Sequence, residues 1–292
     1  MKRIMIIGAG SYIGTSVEKY LCESFPAEYE VDTVDVTTSA WREKSFAGYD
    51  VVYHVAGIAH SDSGKISPAK EEEYRRVNTV LTVETARKAK AEGVRQFIFM
   101  SSAIVYGKSG RIGRKKVITQ TTAPRPANCY GESKLQAERG ILPLCDERFR
   151  VCILRPPMVY GKGSKGNFPL LEKFARKTNV FPYVQNERSV LYIGNLVEFV
   201  RLMIDNEEQG VFWPQNAEYA NTSELVGMIG AANGRKIRLI KGFGFLLKFL
   251  GFFIGAICKA FGNLTYEVGM SEYKTEYRRY SLTDSIKETE GL

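Results

Sequence analysis

A tyrosine and a lysine four residues apart, Tyr130 and Lys134 in Cys-Tyr-Gly-Glu-Ser-Lys, are the residues of this chain best suited to chemistry. A phenol with a solution pKa of about 10 is a poor proton shuttle at neutral pH. An ammonium one helical turn away favours the phenolate, so the pair makes a usable acid/base. Upstream lie a glycine-rich turn, Gly8 to Gly14, and the serine pair Ser101-Ser102. A turn for a dinucleotide, a hydroxyl and a tuned phenol together describe redox chemistry on a nicotinamide.

The turn Gly8-Ala9-Gly10-Ser11-Tyr12-Ile13-Gly14 follows an apolar run and opens a helical pattern. In that context small residues let the backbone approach a pyrophosphate, and the helix start offers it N–H groups and a positive dipole end. Gly8, Gly10, Ser11, Tyr12, Ile13 and Gly14 are therefore candidate cofactor contacts. Asp35 ends the second expected strand, 21 residues after Gly14. A carboxylate there accepts from both ribose hydroxyls and repels a 2′-phosphate, which favours NAD over NADP. Asp32 and Arg42 are the neighbours able to complicate that choice.

These residues need a scaffold, and the hydrophobic pattern supplies one. Strands are expected at 3–7, 31–36, 51–56, 96–100 and 151–154. Helices are expected at 12–23, at 69–91 ending before Gly93, and at 130–140. The alternation predicts an α/β fold, a Rossmann-type doubly wound parallel sheet with a smaller C-terminal substrate-binding lobe. The NAD-binding domain is expected at 1–160, with contributions from about 190–215, and the lobe mainly at 161–292, with helices at 169–177, 196–206 and 223–232. Met1-Lys2-Arg3 before Ile4–Ile7 imitates a signal peptide, but the apolar run stops at Gly8, so it is read as the first strand.

With 292 residues, 44% of them hydrophobic, the chain can bury a large core, and disorder is excluded. Its net charge of +9 arises from 41 basic and 32 acidic residues. The densest basic run, Arg111 to Lys116, lies in a glycine-containing stretch and reads as a solvated loop. No aromatic-interleaved basic motif points to nucleic acid, whereas an anionic small substrate suits the surplus charge. Five cysteines form no Cys-x-x-Cys pair and fit a reducing cytoplasm. The segment 243–261 is the most apolar, interrupted by Lys248 and Lys259, too short between charges to span a bilayer. It is read as a buried or lid helix, with peripheral membrane contact as the alternative. No metal site is expected.

Further motifs carry a family resemblance: His54-Val55-Ala56-Gly57, Val77-Asn78, Met100-Ser101-Ser102-Ala103-Ile104-Val105-Tyr106-Gly107, Leu154-Arg155-Pro156-Pro157-Met158-Val159-Tyr160-Gly161 and Arg188-Ser189-Val190-Leu191-Tyr192-Ile193. With the turn and the Tyr130/Lys134 pair, this ordered set resembles the extended short-chain dehydrogenase/reductases, in particular the NAD-dependent nucleotide-sugar epimerase/dehydratase group and, within it, the UDP-glucose 4-epimerase-like proteins. The resemblance implies Tyr130 as acid/base at the sugar 4-position and Ser102 hydrogen-bonded to the same oxygen. It implies Lys134 on the nicotinamide ribose, and Asn78 holding the helix and a relay water. Ala56, Gly57 and Ser101 would line the cofactor, and Pro156 would approach the nicotinamide. Arg188 and Asn167 would contact the diphosphate of a UDP-sugar. His54 is assigned to packing, and His60 is placed where it could touch the sugar.

The chain departs from the family pattern at Ser11, which stands at the middle glycine of the turn, at Met158 in place of an asparagine, and in a short segment between Asp35 and Val51. Dehydration would need an acidic pair where Ala103-Ile104 stand, which excludes a 4,6-dehydratase. The expectation is a UDP-hexose 4-epimerase passing through a 4-ketosugar and feeding polysaccharide synthesis, as a cytoplasmic homodimer. The alternatives are a nucleotide-4-ketosugar reductase of 6-deoxy-amino-sugar synthesis and a non-catalytic dinucleotide sensor.

Overall fold

Ile4 to Ile7 are fully buried without alternation, as expected of a strand covered on both faces. The computed structural model, which describes residues 1–59, 66–243, 258 and 260–292, places them in an inner strand of a six-stranded sheet. The strands are β1 (Lys2–Ile7), β2 (Tyr29–Val34), β3 (Val51–His54), β4 (Gln96–Met100), β5 (Arg150–Leu154) and β6 (Gly210–Phe212), in the order β6-β5-β4-β3-β1-β2, and every pairing is parallel. The α/β doubly wound expectation therefore holds. From β1 the chain moves first to β2 on one side and then to β3 on the other. That reversal opens a crevice at the carboxyl ends of β1 and β3, where such sheets bind ligands.

Helix α1 (Tyr12–Ser24) is capped by Ser11, whose side chain accepts from the Gly14 N–H. The long helix expected over 69–91 is present in three pieces: α2 (Pro68–Tyr74), a π-helical turn (Arg75–Val80) and α3 (Leu81–Ala91). Helix α4 (Cys129–Ile141) starts at the Asn128 cap, whose side chain accepts from the Gly131 N–H at 2.8 Å. Strand β2 stops at Val34, short of the expected 36, because the Asp35 carboxylate takes the Thr37 N–H and bends the chain. The core between sheet and helices includes Met5, Phe97, Phe99, Ala137 and Ile153.

The chain divides into two compact units. The sheet, α1 to α4 and residues Val197–Trp213 form the first. The second comprises Lys108–Ala123, Pro157–Leu196 and Pro214–Leu292, so residues 108–123 fall outside the first unit, where the sequence placed them. Val117–Ile118 pairs with Thr265–Tyr266, and the Gly110 N–H bonds the Asn263 carbonyl at 2.7 Å, which ties that loop to its own unit. Arg111, Arg114 and Lys115 are exposed along it. Two more parallel strand pairs, Met158–Tyr160 with Val190–Tyr192 and Val180–Pro182 with Arg238–Ile240, accompany helices Phe168–Lys177, Thr222–Ala232 and Leu282–Glu290. Of the apolar segment 243–261, residues 244–257 and 259 lie outside the described residues, as does His60. Among the described residues no helix is long and apolar enough to cross a membrane.

Candidate active site

Each of four adjacent strands releases a candidate residue at its carboxyl end. Gly8 follows β1, Ala56 and Gly57 follow β3, Ser101 and Ser102 follow β4, and Pro156 follows β5. One edge of the sheet thereby gathers residues separated by almost 150 positions. Gly8 has φ +120°, and a Cβ there would lie 2.8 Å from the Ala56 nitrogen, so only glycine lets the turn pass this close to the end of β3. Gly10, at φ +70°, would meet nothing within 4 Å, which leaves open space over the turn. The first-turn N–H groups of a helix have no intrahelical carbonyl, and α1 starts here with Tyr12, Ile13 and Gly14. Ser11 at the middle-glycine position serves as the cap, so the departure from the family pattern costs the turn nothing. A glycine cradle, open space and a helix start fit a dinucleotide pyrophosphate.

Asp35 stands fully exposed just past β2, accepting from Thr37 N at 2.8 Å and Thr37 Oγ1 at 2.9 Å, and these bonds hold its carboxyl below the usual range. The turn is tied beside it, since the Gly8 and Ala9 N–H groups both donate to Val34 O. Its two competitors are otherwise engaged. Arg42 pairs with Glu84 at 2.5 Å, and Asp32 takes the Tyr49 hydroxyl. No strand lies between Asp35 and Val51, where Ser39–Arg42 form a 3-10 turn instead.

The acid/base residues come together around the start of α4. The Ser102 hydroxyl stands near enough to the Tyr130 hydroxyl to lower its pKa, and the ring of Tyr74, from the end of α2, lies 6.1 Å from that of Tyr130. Lys134 Nζ donates to Met100 O at 2.8 Å and sits 4.7 Å from the Phe99 ring centroid. Asn78, in the π-helical turn, accepts from Ile58 N at 2.9 Å and donates to Ile58 O and to Ser133 Oγ. It thus fastens the loop after β3 to α4. A methyl on Gly57 would approach Asn78 Oδ1 to 3.0 Å and Lys134 Nζ to 3.2 Å, so the loop, Asn78 and Lys134 share one small space.

Electrostatics corrects one expectation. Burial pushes the Tyr130 phenol up to about 12, outweighing the Ser102 hydroxyl that lowers it, with Tyr74 adding a smaller rise. Burial also brings the Lys134 ammonium down to about 8, against a smaller upward pull from Glu138. In the chain by itself Tyr130 is a proton donor, not a ready phenolate.

His54 is fully buried beside Phe97 and Phe99, and neither ring nitrogen has a hydrogen-bond partner. Burial first, then Lys134, lowers it from 6.5 to about 3. Between those values the unfolded chain binds a proton that the fold refuses, so stability is full above pH 6.5 and falls as pH drops toward 3. At about pH 4.5 the loss amounts to roughly 2–3 kcal/mol. Urea midpoints at pH 7 and 4.5 should show His54→Leu less acid-sensitive than the parent by that margin, and parallel acid slopes would contradict it.

Ser101, expected to line the cofactor, is turned inward instead. Its hydroxyl donates to Glu138, which receives a two-pronged bond from Arg155, at 3.0 Å from Nε and 2.5 Å from Nη2. Arg155 Nη1 and Trp213 Nε1 both donate to the Tyr106 hydroxyl at 2.7 Å. Sequence reasoning missed this buried group. The signal was present in Glu138, four residues beyond Lys134 on the same helical face, and in an arginine closing an apolar strand, which requires a partner.

The two diphosphate candidates belong to the second unit. Asn167 is exposed at the start of helix Phe168–Lys177 and makes no capping bond. Arg188 is partly buried. Its backbone bridges Ala220 and Leu264, its Nη1 donates to Ala260 O at 3.1 Å, and burial lowers its pKa.

The NAD dependent epimerase/dehydratase family model matches residues 4–212. A UDP-glucose 4-epimerase of Vibrio cholerae is 31% identical over 254 residues, 79% of this chain and 76% of that one. An N-acetyl-alpha-D-glucosaminyl-diphospho-ditrans,octacis-undecaprenol 4-epimerase of Escherichia coli O157:H7 is 27% identical over 256 residues, 80% and 73% of the two chains. Two solved structures share the fold at 17% identity. One is a UDP-glucuronic acid 4-epimerase from Bacillus cereus in complex with NAD (TM-score 0.73, covering 99% of this chain and 97% of that one). The other is a dTDP-4-dehydrorhamnose reductase from Clostridium acetobutylicum (TM-score 0.74, 98% of each). Sheet topology, glycine turn, Ser102/Tyr130/Lys134 grouping and sequence similarity agree, and the chain belongs to the NAD-dependent epimerase/dehydratase family.

Proposed function

We propose that this chain is an NAD-dependent UDP-hexose 4-epimerase. The observation that carries the reading is the gathering of Ser102, Tyr130, Lys134 and Asn78 at the carboxyl edge of the sheet, beside a glycine turn fit for a dinucleotide, with Ala103-Ile104 where a dehydratase needs acids. NAD, when bound, would accept hydride from C4 of the sugar and return it to either face. Tyr130 would take the 4-hydroxyl proton and give it back, with Ser102 sharing the same oxygen. Because burial holds the phenol near 12, the positive charge that frees its proton has to come with the bound dinucleotide and from Lys134. Lys134 would hold the nicotinamide ribose, and Asn78 keeps the loop after β3 in place. Arg188, whose planar fork suits phosphate oxygens, and Asn167 are proposed as diphosphate contacts.

Asp35 makes NAD the favoured dinucleotide. Asp35→Ser is expected to cut the ratio of NAD to NADP affinity by at least about tenfold, measured by fluorescence titration. An unchanged ratio would remove Asp35 from the ribose.

The functional test is to purify the protein, look for retained NAD(H), and supply UDP-glucose, UDP-N-acetylglucosamine and UDP-glucuronic acid without added cofactor. A 4-epimer product supports the reading. Turnover that instead demands a 4-ketosugar and stoichiometric NADH would make the chain a reductase, and bound dinucleotide with neither activity would make it a sensor. The Escherichia coli relative's name describes a sugar on a lipid diphosphate, and the apolar stretch 243–261 suits a membrane surface, so an undecaprenyl-diphosphate-linked N-acetylglucosamine belongs in the panel. A cytoplasmic homodimer in polysaccharide synthesis completes the proposal. The cysteines are free thiols, which suits a reducing compartment.

A further inference from the structure

Tyr130, Lys134 and Glu138 occupy positions i, i+4 and i+8 of α4 and form one stripe along its inner face. Lys134 and Glu138 are only 4% and 1% exposed. Lys134 Nζ is satisfied by a neutral carbonyl, Met100 O, and by the face of Phe99. The carboxylate one turn further on is held from three directions, by Arg155 Nε, Arg155 Nη2 and the Ser101 hydroxyl. A buried ion pair of this kind is no more stabilising than apolar side chains of the same shape, so its presence calls for another role. Its location gives one. Arg155 lies between two backbone ties, Ser101 N to Leu154 O and Ala103 N to Pro156 O, both 2.8 Å, which join the segment carrying Ser102 to the segment carrying Pro156.

We propose that Glu138, clamped by Arg155, is a positioning residue for Lys134, keeping its ammonium charged inside the fold and holding the Ser101-Ser102 segment against the end of β5. The inference rests on Lys134 serving the dinucleotide ribose. The groups facing Lys134 are Tyr130 and Glu138 on α4, the neutral His54 of β3, and Asn78 of the π-helical turn; Arg155 and Tyr106 lie behind Glu138, and Tyr74 of α2 faces Tyr130. Of the charged residues of α3, Glu84 pairs with Arg42, Lys88 with Glu92 and Lys90 with Asp146, and Arg87 is exposed. Glu138 is therefore the carboxylate that opposes the downward effect of burial on Lys134, and without it the ammonium loses its proton at lower pH.

The test reads Lys134 directly. The full-length protein is pulsed with trace acetic anhydride between pH 6 and 11, and acetylation of Lys134 is followed by mass spectrometry. The parent is expected to titrate near 8. Glu138→Gln should titrate about one pH unit lower. Since that change leaves a buried guanidinium without its partner, the double variant Glu138→Leu/Arg155→Met, which keeps the packing apolar, is measured alongside and should move the same way. NAD affinity should follow, equal to the parent at pH 6 and several-fold weaker at pH 8. A Lys134 midpoint unchanged in a folded variant would overturn the inference and leave Glu138 with packing alone. Failure of the parent to bind NAD would instead strike the assignment of Lys134 to the ribose, while the labelling midpoint would still decide the role of Glu138.

Discussion

Tyr130→Phe is expected to lower turnover of the UDP-sugar substrate by about two to four powers of ten while leaving NAD bound. The variant loses one hydroxyl, the group whose pKa Ser102 lowers, above the carboxyl edge of the sheet. Its ring still packs against Tyr74, so fold and cofactor cleft are kept. Steady-state rates with the substrate found in the UDP-sugar panel, together with the absorbance of retained NAD(H), separate the two effects. Near-normal turnover would remove Tyr130 from the proton transfer. An equal loss in Lys134→Met with NAD affinity reduced as well would separate the ribose-holding role from the proton-carrying one.

Arg155→Ala should be the most damaging change to stability. It strips the fork from a carboxylate that is 1% exposed at its side chain, leaving Glu138 charged and buried. Removing one partner of such a pair costs about 3–5 kcal/mol. For a chain of this size the thermal midpoint should fall by roughly 10 °C. Arg155→Lys should recover little, because an ammonium cannot span both carboxylate oxygens and reach Tyr106 as the guanidinium does. A midpoint shift of only a degree or two, measured by calorimetry, would mean that water reaches Glu138 or that the neighbouring Ser101 hydroxyl suffices.

The sequence announced the sheet and its edge clearly, because each strand of a buried parallel sheet is a short apolar run and each candidate residue stands directly after one. Gly8, Gly57, Ser102 and Pro156 were legible for that reason. The Glu138–Arg155 pair was not, since 17 residues and a loop separate partners that meet only when α4 lies across β5. Nor was the state of Tyr130. Local spacing promised a phenol made acidic by Lys134, but desolvation is a property of everything packed around a group, and it moved both residues against the charge each carries. Asp35 was located to within a residue, though the strand ends earlier because its own side chain turns the backbone.

The charged and apolar pattern of 69–91 reads as one helix, so it does not reveal the wider turn at Arg75–Val80. Such a turn inserts one residue, and each residue of a helix subtends about 100°. Asn78 and Tyr74 can therefore look toward the chemistry while Leu81, Thr85 and Ala89 keep their own bearing on the core. Deleting a single residue there would restore an ordinary helix and swing one half out of phase with the other. A phase slip one residue long thus acts as a gearbox, letting the reactive half of the rod be re-aimed without re-cutting the half that packs.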